Sequence, residues 1–135
     1  MQDRLVVHRD ENADFNDIDV SNITYMGSYL LSGKGYGLFE GLDPHDIDIS
    51  LWDVSRVTNM SNMFRGCKNF KGRGLDYWNV SNVGIMTMMF NNCESLDVDL
   101  SGWNVHKSVN VKLMFNGCRT LEEKNLIPDW SKAYK

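Results

Sequence analysis

The sequence predicts an α/β repeat: a short solenoid of three to four strand and helical-turn units with terminal caps. Three observations predict it. Trp52, Trp78 and Trp103 stand 26 and then 25 residues apart. Cys67, Cys93 and Cys118 repeat the same 26 and 25, and each Trp leads its Cys by 15. Between these landmarks, apolar residues recur at fixed offsets, as stacked units sharing one core require.

Each part of the unit has its own signal. An aliphatic residue precedes every Trp by three: Ile49, Leu75 and Leu100. The stretches 46–51 and 97–102 alternate polar and apolar, which predicts short strands, with 72–77 as the matching strand despite Gly72 and Gly74. Val57, Met60, Met63 and Phe64 follow the first Trp at helical spacing, with Ser55 or Thr58 as N-cap. Phe70, Leu96 and Leu121 each follow a Cys by three. The third unit departs from the pattern, with His106-Lys107 in place of Ser-Asn and Val111 in place of Met60 and Met86.

The ends are read as caps. Residues 20–26 form a degenerate copy of 54–60, with Tyr29 and Leu30 in the places of Met63 and Phe64, Gly33 in the place of Cys67, and 34–41 as an insert. Leu5-Val6-Val7 suggests a cap strand. Residues 122–135 fall outside the repeat; Leu126, Ile127, Pro128 and Trp130 suggest a tail folding over the open end, with Trp130 outside the Trp series. The chain then reads as one domain over 1–135: cap and degenerate repeat 1–41, regular repeats 42–121, tail 122–135.

The phrases at 46–55 and 57–67 resemble the BspA-type leucine-rich-repeat proteins. More closely, they resemble the roughly 25-residue repeat of mycoplasma lipoproteins and bacterial surface proteins. The resemblance covers 42–121 strongly and 15–33 weakly. It implies a leucine-rich-repeat-like solenoid with roles in adhesion or protein contact, and no catalytic residues. Small stand-alone copies of the repeat also resemble phage-encoded proteins.

Composition narrows the function. The net charge is −4 and the Lys and Arg residues are scattered, so no basic stripe is present to neutralise phosphates and nucleic acid is not an expected ligand. No apolar run is long enough to span a bilayer. The start lacks a basic region followed by an apolar one, so no signal peptide is visible, and host cytoplasm or a virion is favoured over the cell surface. No Gly-x-Ser-x-Gly, phosphate loop or His-Glu-x-x-His is present, so no enzyme is expected. No cofactor or metal is expected. The cysteines stand singly in their units, and His8, His45 and His106 do not share the period, so a ladder of buried thiols is favoured over zinc. The recurrent methionines read as core.

One feature invites a partner. Asp46 and Asp48, then Asp97 and Asp99, hold equivalent strand positions, and Asp76 lies two before Trp78. Strand alternation would turn them outward. The position before each Trp holds Leu51, Tyr77 and Gly102, so Leu51 and Tyr77 become apolar anchors beside an acidic face. The competing reading is a solvated face that resists aggregation. Asp53, Asn79 and Asn104, directly after each Trp, read as structural amides bonding the turns of neighbouring units. The function expected is a non-enzymatic interaction module that binds a protein across its strand face, a phage protein acting on a host factor among the options. The alternatives are a virion component or a cell-surface adhesin fragment. Self-association through the ends of the stack stays open.

Overall fold

The structure is a computed structural model and describes residues 15, 16, 18–27, 37–41 and 47–132. It corrects the predicted fold class. Among the described residues there is no strand and no sheet, and hence no leucine-rich-repeat-like solenoid of strand and helical-turn units. Parallel pairing is limited to single-residue bridges, Tyr25 to Asn59, Asn59 to Ile85 and Ile85 to Asn110. The helices are a 3-10 turn at Leu75–Tyr77, then α1 (Arg119–Glu123) and α2 (Asp129–Lys132), both beyond the last regular unit's Cys.

The physical reason is a run of turns with a period close to that of a helix. In the first regular unit, Val57 N–H donates to the Val54 carbonyl, Met63 to Met60, Cys67 to Phe64 and Phe70 to Cys67. Each is a three-residue reach, as in a β-turn. Apolar residues spaced by three therefore line one side of successive turns, which a sequence reader takes for a helix. Left-handed residues then break any longer run: Asn62, Met88 and Leu113 at one position of the unit, and Gly66, Asn92 and Gly117 four residues on. The predicted strand at 72–77 becomes the 3-10 turn, entered through Gly72 and Gly74 at φ 78° and 87°. At Gly74 only glycine fits, because a Cβ there would collide with Ser50. Ser55 caps no helix; its hydroxyl and amide both donate to Asp53.

Consecutive units are joined by backbone hydrogen bonds in both directions, with Gly84 and Asn110 donating back to the Thr58 and Gly84 carbonyls and a longer series donated by the earlier unit. The amides of Met60, Asn62, Phe64 and Gly66 donate to the carbonyls of Ile85, Thr87, Met89 and Asn91 at 2.8–2.9 Å. One unit later, Met86, Met88, Phe90 and Asn92 donate to Asn110, Lys112, Met114 and Asn116 at 2.8–3.1 Å. The backbone polar groups of buried turns are thereby satisfied without a sheet.

Three side-chain ladders fill the interior. Phe39, Phe64, Phe90 and Phe115 stack in sequence at centroid distances of 5.2, 5.6 and 5.8 Å. The indole N–H of each Trp donates to the unit before it: Trp52 to the Phe15 carbonyl, Trp78 to Ile49 and Trp103 to Leu75, at 2.7–2.9 Å. Each Cys thiol reaches back in the same way, Cys67 to the Phe39 carbonyl, Cys93 to Phe64 and Cys118 to Phe90. Trp and Cys recur because each combines an apolar body with one donor, and the stack offers each a buried carbonyl.

The ends need further correction. Phe39 N–H donates to the Met63 carbonyl, just as Phe64 donates to Met89. Leu38 and Phe39, not Tyr29 and Leu30, are thus the counterparts of Met63 and Phe64, and Gly41 matches Gly66. Tyr29, Leu30 and Gly33 lie outside the described residues, as do Leu5-Val6-Val7. Ile18 takes the Trp position of the first copy, since its amide donates to Phe15 as Trp52 donates to Ile49. Trp130 does belong to the Trp series. It stacks on Trp103 at 6.3 Å and donates to the Leu100 carbonyl at 3.0 Å, so the tail ends in one more partial unit.

Candidate functional site

The outer turn ahead of each Trp is the place where the sequence put a site. It is built by short side-chain loops. Asp48 Oδ1 accepts from both the amide and the hydroxyl of Ser50, at 3.0 and 2.7 Å. Asp99 accepts from the Ser101 amide at 2.9 Å. The same device recurs after the Trp, where Asp53 serves Ser55 and Asn79 serves Ser81. In the third unit a similar pair lies two residues later, the His106 Nδ1 standing 2.9 Å from the Ser108 hydroxyl. Such turns satisfy backbone that no ladder reaches.

These contacts set the charge state. The hydroxyl and then the amide of Ser50 hold the Asp48 carboxyl below its ordinary value. The Ser55 pair does the same for Asp53, and the Ser21 pair for Asp19. For Asp99 the Ser101 amide leads, followed by its hydroxyl. Asp97 is paired with Lys124 of the tail at 2.7 Å. Asp76 is exposed within the 3-10 turn. Asp46 lies outside the described residues.

Asp48, Asp76, Asp97 and Asp99 are exposed, but not through strand alternation, since no strand among the described residues carries them. Asp48 and Asp99 are turn-formers, Asp97 is a tie to the tail and Asp76 lies exposed in the 3-10 turn, so the described aspartates stand in three different arrangements. Asp53 and Asn79 likewise bond within their own turns. Bonds to neighbouring units come from other amides, Asn82 to the Ser55 carbonyl and Asn91 to Leu113.

Leu51 and Tyr77 stand apart from this economy. They are 77% and 79% exposed, far more than any other large apolar residue among those described. They hold equivalent positions in consecutive units, directly ahead of Trp52 and Trp78, whose rings stack at 6.4 Å. Both therefore lie along one edge of the stack, with Asp48 and Asp76 beside them in sequence. The third position on that edge is Gly102, which adds no side chain.

The other reactive groups are internal or scattered. The three cysteines are buried, and burial pushes the Cys118 thiol up to about 12. No group of three or more His, Cys, Asp or Glu is placed to hold a metal ion among the described residues. His8 and His45 lie outside them. Among the described residues no helix is long and apolar enough to cross a membrane.

Sequence reasoning missed Phe39, Ile18 and Trp130 as members of the ladders. Two of the three had a signal. Phe39 precedes Phe64 by 25, and Trp130 follows Trp103 by 27 with Ile127 three residues ahead of it. The sequence model of a family described as "Mycoplasma protein of unknown function, DUF285" matches residues 36–133. No curated protein and no solved structure matches the chain.

Proposed function

The chain belongs to this family of mycoplasma proteins of unknown function, DUF285, and from that premise we propose that it is a non-enzymatic module that binds another protein along the pre-tryptophan edge. One observation carries the reading: Leu51 and Tyr77 are almost wholly exposed at equivalent positions of adjacent units. A single exposed apolar residue is ordinary, whereas two aligned by the repeat form a contact site suited to an aromatic and aliphatic anchor pair. Asp48 and Asp76 add negative charge that orients a basic partner surface. Of the settings the sequence leaves open, a mycoplasma family fits a bacterial surface role; the comparisons lend no support to a phage origin or a virion.

Two variants test this. Asp48→Asn, Asp76→Asn and Asp99→Asn together remove charge, and the asparagines at 48 and 99 keep an acceptor oxygen, as Asn79 provides in a turn of the same kind. Leu51→Ser with Tyr77→Ser removes the anchors. Both are compared with wild type in capture from lysate and surface extract of the source cell, read by mass spectrometry. A protein held by wild type and lost by the anchor variant supports the edge. A partner held equally by all three forms places the contact elsewhere and defeats the site assignment.

A further inference from the structure

We infer that the C-terminal end of the stack is a docking edge for an extended segment of a partner polypeptide, which it takes up as one more unit. At each junction between regular units, four alternate amides of the earlier unit donate to carbonyls of the later one, while Gly84 and Asn110 donate back across the same junctions. The last regular unit carries the matching amides at Val111, Leu113, Phe115 and Gly117, each 25 residues beyond Met86, Met88, Phe90 and Asn92. None of the four meets an acceptor among the described residues. The tail does not take that place: Trp130 covers the interior side of this end, lying on Trp103 and 5.7 Å from Phe115.

What remains beside the amides is an open groove of about 280 Å³. Val111, Leu113 and Phe115 form one wall, and Glu122, Ile127 and Lys132 of the tail line the other side. Leu113 is 46% exposed there.

Donors at alternate residues ask for acceptors at alternate residues. A polypeptide backbone offers that spacing, and the internal junctions show the fit at 2.8–3.1 Å. Main-chain pairing then supplies affinity while a side pocket supplies selectivity. Leu113 and Ile127 select an apolar side chain.

The test is a titration of the ¹⁵N-labelled chain with a synthetic peptide copying residues 109–118, carrying Cys118→Ser, to about 1 mM. The peptide presents the carbonyls that the internal junctions use. The expected result is saturable shifts of the amide signals of Val111, Leu113, Phe115 and Gly117, with hydrogen exchange at those amides slowed about 10-fold or more. Leu113→Glu weakens the binding by about 10-fold or more; if that variant does not fold, Ile127→Glu on the facing wall is read instead. Absence of shifts at the four amides overturns the inference, as do shifts centred on Leu51 and Tyr77. Concentration-dependent association without peptide, protecting the same amides, overturns the partner assignment in favour of a second copy.

Discussion

The inside of each unit and its outer turns repeat by different rules. Inside, the residue itself repeats. Phe64, Phe90 and Phe115 are identical in kind, as are Trp52, Trp78 and Trp103, because each must fill the same volume against its neighbour. On the outer turns only the role repeats. An acceptor directly after the Trp position and a serine donor two residues on are met by Asp19 with Ser21, Asp53 with Ser55 and Asn79 with Ser81. Leu51 and Tyr77 obey neither rule, since they fill no volume and form no turn with their side chains. Residues released from both constraints are the ones available for contact with something else.

The hardest way to break this comparison is to open the ladder. Phe64 stacks on Phe39, Phe70 and Phe90, so Phe64→Ala is expected to lower stability by about 3–5 kcal/mol, measured by denaturant unfolding. A next, smaller effect isolates the indole hydrogen bond. Trp78→Phe leaves the Ile49 carbonyl, now 2.9 Å from the indole nitrogen, without its donor, at an expected loss of about 1–3 kcal/mol in addition to lost packing.

The left-handed positions sharpen the comparison in the opposite direction. Leu113 sits at φ 56° where the equivalent residue of the first regular unit is Asn62 at φ 60°. Leu113→Asn is therefore expected to stabilise the chain by about 1 kcal/mol, seen as a rise in thermal midpoint. No change, or a fall, would mean that Leu113 packs more usefully than its exposure indicates.

Acid probes the turns. The Asp19, Asp48, Asp53 and Asp99 carboxyls are held below the ordinary value of 3.8. A depressed folded value means that their stabilisation is present above 3.8 and is lost as the pH falls through the folded values. Glu40 works the other way, since burial raises its carboxyl and favours the folded chain as it becomes protonated. Unfolding midpoints below pH 4 should therefore fall for wild type, and fall less once Asp48 and Asp99 are changed to Asn. The thiols mark the alkaline side. The Cys118 thiol is raised from 9.0 to about 12, so its contribution is intact below 9.0 and fades as the pH climbs toward 12. At pH 8 the native chain should resist alkylation, and only unfolding should expose all three thiols. Rapid labelling of the native chain would contradict the buried ladder.

Much of the interior was legible because volume constrains identity. The Trp and Cys series, their aliphatic partners Ile49, Leu75 and Leu100, and the buried methionines could all be read by spacing. The architecture was not. Turns that advance by three residues and helices that advance by 3.6 place apolar groups alike over a short unit, and only the left-handed residues at 62, 88 and 113 separate them. Met88 and Leu113 carry no compositional sign of that conformation. The tail was half legible: its apolar residues pointed to a cap, but a spacing of 27 instead of 25 hid Trp130 from the series. At the candidate site the exposure of Leu51 and Tyr77 followed from their place before each Trp. The differing surroundings of the aspartates were not legible: a serine two residues on makes Asp48 and Asp99 turn-formers, while Lys124 pairs with Asp97.

The measurement that tests the central claim most directly is the thermal midpoint of the Leu51→Ser, Tyr77→Ser double variant beside wild type. The claim is that these two side chains serve no structural end and are free for a partner. It predicts a difference within about 2 °C, as for substitutions at exposed positions. A drop of more than about 5 °C would show that the edge holds the stack together, and the binding assignment would lose its footing.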